Sequence, residues 1–213
     1  MTRRLIVPAC ALLLSLAACT KDTELDETGG QRVTRSTCPA VAVPAYTGDV
    51  SIFSPVESRD ARALDVVATI TNLRSQCDQS GAVVKATATF EVAARRASPS
   101  GARDVVLPYF VTVVRAGTRI MSKQESRVAI HFADGQLRAT GSAQAGAEIE
   151  KALATLPAIA SERLNRKRKA TDADASIDPM ADPKVRAAVN QANFELLIGF
   201  QLSQDQLAYN ATR

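Results

Sequence analysis

Apolar and polar residues alternate along several stretches of the chain, and a period of two is typical of a half-buried β-strand. The apolar positions are Leu64, Val66, Ala68 and Ile70, then Val84, Ala86, Ala88, Phe90 and Val92, then Val128, Ile130 and Phe132, and finally Phe194, Leu196, Ile198, Phe200 and Leu202. Each set predicts a strand with one face in a core and the other in water.

The stretch Val105–Val114 is apolar on both faces and rich in β-branched residues, which predicts a central strand. Because proline has no N–H for a ladder, Pro108 predicts a bulge or pairing on one side only. Ala116-Gly117 breaks the pattern, and Ala133-Asp134-Gly135 predicts a hairpin turn, with residues 137–142 as its returning strand. Strands joined by short turns predict an antiparallel β-sandwich, Ig-like or similar.

The chain shows few helical patterns, and we expect two or three short helices. Helical spacing links Ile149, Ala152, Leu153 and Leu156 and ends before Pro157. Asp182 followed by Pro183 predicts a helix start, and Ser203 with Gln206 forms a capping-box pattern. Residues 161–183 are strongly charged and predict a long exposed loop.

The N-terminal residues have the layout of a secretory signal. Arg3 and Arg4 precede an apolar run, Leu5–Ala18, that is too short to span a bilayer comfortably. The run ends in Leu16-Ala17-Ala18-Cys19, which resembles the lipobox of bacterial lipoproteins. This resemblance implies cleavage of residues 1–18 and a diacylglycerol on Cys19. Ordinary secretion with an unmodified Cys19 is the alternative.

The remaining chain divides into a tether and a domain. Residues 19–37 are polar and predict a lipidated flexible tether, and residues 38–213 predict a single β-sandwich-like domain. In the lipoproteins that this segment resembles, an aspartate after the cysteine often signals retention at the inner membrane. The resemblance, with Thr20 at that position, therefore implies the periplasmic face of the outer membrane. The inner membrane remains the alternative location.

Cysteine use agrees with export. If Cys19 carries lipid and Cys10 leaves with the signal, Cys38 and Cys77 form an even pair, and we expect a disulfide between them. A metal or redox pair is the alternative, which the absence of a Cys-x-x-Cys pattern and the single histidine disfavour.

Charge excludes one class of partner. Removal of the signal leaves 26 − 2 = 24 basic residues against 22 acidic residues, a net charge of +2. So small a net charge, with 4% aromatic residues, predicts no binding of nucleic acid.

The sharpest local feature is a run of cations. One interpretation is an anion-binding site for lipopolysaccharide or peptidoglycan, made of Arg163, Arg166, Lys167, Arg168 and Lys169. The simpler interpretation, which we favour, is a solvated loop balanced by the aspartates that follow, namely Asp172, Asp174, Asp178 and Asp182.

The sequence carries no recognisable catalytic or metal-binding motif. His131, the only histidine, falls on the polar face of its strand, with no obvious carboxylate to orient it. We therefore expect no enzyme activity, no metal and no cofactor beyond the lipid on Cys19. A hydrolase that uses scattered carboxylates is the less favoured alternative.

Two longer strings resemble an uncharacterised family of outer-membrane lipoproteins from alphaproteobacteria. They are LPYFVTVVRAGTRIMSKQESRVAIHF and FELLIGFQLSQDQLAYNATR, and the similarity extends over most of residues 38–213. The resemblance implies an envelope location and transfers no catalytic residue. Together these features predict a non-enzymatic membrane-anchored lipoprotein that acts in the envelope as a structural, assembly or interaction component. Its partner would be another envelope protein or an envelope glycan.

Overall fold

The computed structural model describes residues 35–166, 168–169 and 171–212. The predicted signal peptide (1–18), Cys19 with most of the predicted tether, and Lys167 lie outside the described residues. Contacts within the chain group residues 35–164 with 178–213, and residues 165–177 belong to a separate unit. The strands all belong to the first group.

The described residues form eight strands arranged in two four-stranded sheets. In chain order the strands are β1 (Ala40–Ala42), β2 (Asp49–Phe53), β3 (Leu64–Asp78), β4 (Val83–Arg96), β5 (Arg103–Arg115), β6 (Arg119–Phe132), β7 (Arg138–Glu150) and β8 (Phe194–Phe200). The first sheet has the order β1-β8-β5-β6 and the second β2-β3-β4-β7. All pairs are antiparallel except β1 with β8, and the predicted β-sandwich is confirmed.

The core lies between the sheets, where the inward sides of both are apolar. The largest fully buried side chains are Phe90, Phe132, Phe200, Ile130, Leu196, Ile198, Val66, Val84, Val92 and Val189. All but Val189 occupy positions that the alternation assigned to the core. Phe90 meets Tyr109 edge to face, with ring centroids 5.2 Å apart, so aromatic packing joins β4 to β5.

Strand β5 is the central strand that its sequence predicts, since β6 and β8 flank it. Pro108 lies opposite Arg127 of β6, whereas the ladder with β8 begins at the next residue, Tyr109. The proline therefore has a paired strand on one side only, and the bulge falls between Val113 and Val114.

The turn at Ala133-Asp134-Gly135 is present, and Gly135 has a φ of 78°, but the predicted hairpin is wrong. Strand β7 pairs with β4 from Val83↔Glu150 to Arg95↔Arg138, so it belongs to the other sheet. The turn crosses between the sheets. Local turn residues permit the reversal, but the pairing partner of β7 depends on distant residues.

Four α-helical segments of the described residues accompany the sheets: α1 (Lys151–Ala154), α2 (Ala158–Asn165), α3 (Pro183–Ala192) and α4 (Gln204–Thr212). Two short 3-10 helices, Ala61–Ala63 and Pro179–Ala181, are also present. Helix α1 is a single turn, which leaves three short α-helices as predicted. The helix expected from Ile149 begins at Lys151, because Ile149 is the last inward residue of β7. The charged segment is not a loop throughout, since α2 continues to Asn165.

Both predicted helix caps are confirmed. The Asp182 carboxylate accepts a hydrogen bond from the Lys184 N–H at 2.8 Å, with Pro183 at the first helical position. The Ser203 N–H donates to Gln206 Oε1 at 2.9 Å, and the Gln206 N–H donates to Ser203 Oγ at 3.2 Å. Within the described part of the chain, no helix has the length and apolar character needed to cross a membrane.

Gly199 of β8 is a position where a side chain cannot fit. A Cβ there would lie 2.7 Å from the Cβ of Thr47 and 2.8 Å from Cζ of Phe110. We expect Gly199→Ala to lower the free energy of unfolding by about 1–3 kcal/mol, because the neighbours must shift. Urea unfolding measures this. Gly146→Ala is the control, since the backbone oxygen of Ala86 would lie 3.4 Å from the new Cβ. Equal stability of the two variants would refute the steric argument.

Candidate functional site

The inward side of β6 changes character halfway along the strand. Val128, Ile130 and Phe132 are buried, but the preceding inward positions are Ser122, Gln124 and Ser126. Their facing partners on β5 are the inward residues Val113, Val111 and Tyr109. The three polar residues of β6 are exposed, so the second sheet leaves this part of the first uncovered.

A cleft of about 600 Å³ opens at this place between the two sheets. Its lining consists of Val111 and Val113 from β5, Ser122 and Gln124 from β6, Lys85, Ala86 and Thr87 from β4, and Gly146, Ala147 and Glu148 from β7. Small residues of the second sheet thus face polar residues of the first. The cleft exists because the inward side chains of Ala86 and Ala147 are too short to fill the space.

Two contacts bring β7 close to the first sheet at one end of this gap. A Cβ on Gly141 would lie 2.7 Å from the backbone oxygen of Ala129, so β6 and β7 approach closely there. The Tyr109 hydroxyl donates to the backbone oxygen of Gln144 at 3.0 Å. Beyond these contacts the cleft lies between β6 and β7, which are not hydrogen-bonded to each other.

The lining includes two charged residues, Lys85 and Glu148, which lie on the outward sides of β4 and β7 and form a loose ion pair at 3.9 Å. Both are exposed, at 65% and 70% of the side chain, so solvent screens their attraction. Ser122 makes no hydrogen bond with a histidine or a carboxylate of the described residues, so the arrangement that activates a serine nucleophile is not formed there. The floor of the cleft is apolar, and its rim carries hydroxyl and amide groups. This composition suits the binding of side chains or of a small ligand.

The predicted anion-binding cations lie on α2 and the segment that follows it. Arg163 of α2 forms an ion pair with Asp182, the residue that caps α3. This contact ties two helices of the sandwich unit together. It also gives the Arg163 charge a partner within the chain.

The next cations also contact oxygen atoms of their own segment. Arg166 forms an ion pair with Asp174, and Arg168 donates to the backbone oxygen of Ile177. The hydrogen bond from Arg166 lowers the pKa of the Asp174 carboxyl below its ordinary value. The backbone N–H of Lys169 donates to the Asp172 carboxylate at 3.0 Å. The ion pair of Arg166 with Asp174 agrees with the interpretation of a charge-balanced segment, and Lys167 lies outside the described residues.

His131 does have a carboxylate beside it, contrary to the expectation from sequence. Its Nδ1 lies 2.6 Å from Oδ1 of Asp104, the facing residue on β5. Both side chains are exposed, at 66% and 70%, and they lie outside the cleft lining. The contact was missed because cross-strand neighbours depend on the β5–β6 register, which spacing within one strand does not give.

A second, shallower groove lies where β3 bulges between Thr71 and Arg74. It has a volume of about 410 Å³ and is lined by Asn72, Thr89, Phe90, Glu91, Ser142, Ala143 and Gln144. Across the residues that the structure describes, no three His, Cys, Asp or Glu side chains group closely enough to hold a metal ion.

Comparison with known proteins adds no identification. No protein-family model matches the chain, and neither a curated protein nor a solved structure is significantly similar to it. The resemblance to alphaproteobacterial lipoproteins therefore remains a prediction.

The cleft is the functional candidate that sequence reasoning missed. A signal for it was present, since the inward positions of β6 change from Phe, Ile and Val to Ser, Gln and Ser. Recognising it required knowing that the alternation continues unbroken from Phe132 back to Ser122. It also required the partner residues on β7, which the predicted hairpin placed in the wrong sheet.

Proposed function

We propose that this chain is a membrane-anchored, non-enzymatic lipoprotein that binds another component of the cell envelope. The observation that carries the proposal is Leu16-Ala17-Ala18-Cys19 at the end of a short apolar segment. The Cys38–Cys77 disulfide supports it, because such bonds persist in oxidising compartments outside the cytoplasm. The lipid on Cys19 is the only non-protein group that the proposal includes.

Binding is favoured over catalysis by the composition of the cleft. Its polar groups are hydroxyls, one amide and one exposed ion pair, which suit recognition. We propose a protein partner rather than lipopolysaccharide or peptidoglycan. Arg163 and Arg166 already contact carboxylates of this chain, which weakens the case for an anion site there.

The proposed location is the periplasmic face of the outer membrane. Two acyl chains suffice for stable anchoring, because each buried methylene contributes about 0.8 kcal/mol. The polar residues after Cys19 would act as a spacer between the membrane and the sandwich.

Metabolic labelling with an alkyne analogue of palmitate tests the anchor. We expect the full chain to incorporate the label and to sediment with membranes, and Cys19→Ser to lose the label and become extractable at neutral pH. Cys10→Ser is the matched control, because it removes a neighbouring thiol of the same segment and should label normally. Labelling that persists in Cys19→Ser would reject the lipoprotein assignment.

Crosslinking in cells tests the binding role. A photoreactive residue at position 122 or 124 would place the probe in the cleft, and the same residue at the exposed position Arg74 provides the control. A discrete crosslinked envelope protein from the cleft positions alone is the expected result. The same products from all three positions would contradict a role for the cleft.

A further inference from the structure

Strand β6 has a long edge that no strand of the described residues pairs with. Within residues 35–166 and 171–212 it pairs with β5 alone, and all nine residues from Arg119 to Arg127 are exposed. An edge strand of this kind presents backbone N–H and C=O groups that another strand can pair with. Of the strands that the structure describes, only β4 pairs with β7, and the cleft lies between the edges of β6 and β7.

The inward face beside this edge has room for side chains. The floor of the cleft consists of the buried Val111 and Val113 and of Ala86, and Ser122 and Gln124 stand at the side of β6. A strand added to β6 would place every second side chain into this space. A polypeptide can pair with the backbone edge of β6 and fill the cleft at the same time. A glycan has no ladder of N–H and C=O groups that could pair with this edge.

The charge of the exposed part of β6 is positive. Arg119, Lys123 and Arg127 outnumber the single acid, Glu125, which lies 3.3 Å from Lys123. Among the residues that the structure describes, no carboxylate lies within ion-pair distance of Arg119 or Arg127. These two arginines stand at opposite ends of the free edge, where they would meet carboxylates of an incoming strand.

We propose that the free edge of β6 binds an extended acidic segment of a partner polypeptide by strand addition, with the small apolar side chains of that segment in the cleft. The inference rests on the proposed function, because it names the class of partner and the surface that receives it. Backbone pairing provides affinity, and the cleft and the two arginines provide selectivity.

Binding of a labelled peptide to the full chain in detergent tests the proposal. The probe is a nine-residue peptide of alternating Glu and Val, and fluorescence anisotropy measures its binding. A second peptide with Lys in place of Glu is the control. We expect saturable binding of the Glu peptide that weakens as salt is raised, because exposed charges are screened. Failure of the Glu peptide to bind, or equal binding of the Lys peptide, would overturn the proposal.

Variants locate the surface. The double substitution Arg119→Glu with Arg127→Glu should lower the affinity for the Glu peptide by about tenfold or more, since like charges then face each other. Ser122→Trp, which fills the cleft from an exposed position, should abolish binding, while Arg74→Glu on β3 should bind as the parent chain does. Far-ultraviolet circular dichroism checks that each variant is folded.

Two further outcomes would also refute the proposal. Unchanged binding in both the double-arginine variant and Ser122→Trp would show that the peptide binds elsewhere. Self-association of the parent chain in sedimentation, lost in the same variants, would assign the edge to a second copy instead. Palmitate labelling at Cys19 is measured independently, so failure of peptide binding leaves the lipoprotein proposal intact and separately testable.

Discussion

Replacing Arg96 by methionine is expected to lower the free energy of unfolding by about 3–5 kcal/mol, one of the two largest effects foreseen here. Arg96 is the last residue of β4 and is only 2% exposed. Its guanidinium lies over the ring of Phe132, 5.2 Å from the ring centre. Arg96 lies outside the lining of the cleft, so the effect is one of folding.

The reason lies in four hydrogen bonds to backbone carbonyls. Nε donates to Gln136, Nη1 to Gly101, and Nη2 to both Pro99 and Ala133, at distances of 2.6–3.0 Å. One side chain thus joins the β4–β5 connection to the β6–β7 turn that crosses between the sheets. A buried charge is tolerated when such groups satisfy it, and each carbonyl left without a donor costs about 1–3 kcal/mol. Loss of the guanidinium leaves the Gln136 and Gly101 carbonyls without their donor, whereas the carbonyls of Pro99 and Ala133 still accept from the Gly135 and Gln136 N–H groups. Water that reaches the loops recovers part of this loss.

Urea unfolding of a chain that begins at residue 20 provides the measurement. Arg95→Met is the matched control, since Arg95 is the exposed neighbour on the same strand and its loss should change stability by less than about 0.5 kcal/mol. Arg96→Lys should be intermediate, because an ammonium has three N–H donors against four carbonyl acceptors. If Arg96→Met unfolds at the same urea concentration as Arg95→Met, the four hydrogen bonds of Arg96 contribute nothing measurable to the free energy of unfolding.

For Arg96, the sequence predicts burial of the side chain but not its hydrogen-bond partners. The alternation that places Val84, Phe90 and Val92 in the core continues through Ala94 to position 96. The pattern therefore puts an arginine on an inward face, a conflict that points to a specific role. What that role is depends on carbonyls 3 to 40 residues away, and no local pattern contains them.

The same division holds elsewhere in the fold. Periodicity determines which side of a strand is buried, because that property belongs to the strand alone, and the core of β4, β6 and β8 was predicted correctly. Pairing belongs to two strands at once. For this reason the sheet of β7, the contact of His131 with Asp104 and the cleft between β6 and β7 required the three-dimensional arrangement.

The disulfide could be predicted because the number of cysteines left to pair, rather than their geometry, determines the pairing. Once Cys10 and Cys19 are assigned to the signal and the lipid, only Cys38 and Cys77 remain to pair. The structure joins them, with Cα atoms 6.1 Å apart. The bond links Cys38, two residues before β1 of the first sheet, to the end of β3 in the second.

Removal of this disulfide in Cys38→Ala with Cys77→Ala is expected to lower the free energy of unfolding by about 4 kcal/mol. The two cysteines are 39 positions apart, so the bond closes a long loop in the unfolded chain and removes conformational freedom there. A loss of this size would lower the midpoint of thermal unfolding by about 8–16 °C for a domain of 150–250 residues.

Thermal unfolding of a chain that begins at residue 20 isolates the effect, because Cys38 and Cys77 are then its only cysteines. The parent chain in dithiothreitol should match the double alanine variant, and that variant itself should not respond to dithiothreitol. Agreement between reduction and substitution would assign the stabilisation to the covalent link between the sheets. A double variant that melts with the oxidised parent would mean that sheet packing alone fixes this end of the sandwich, and that the unfolded chain gains no freedom from losing the bond.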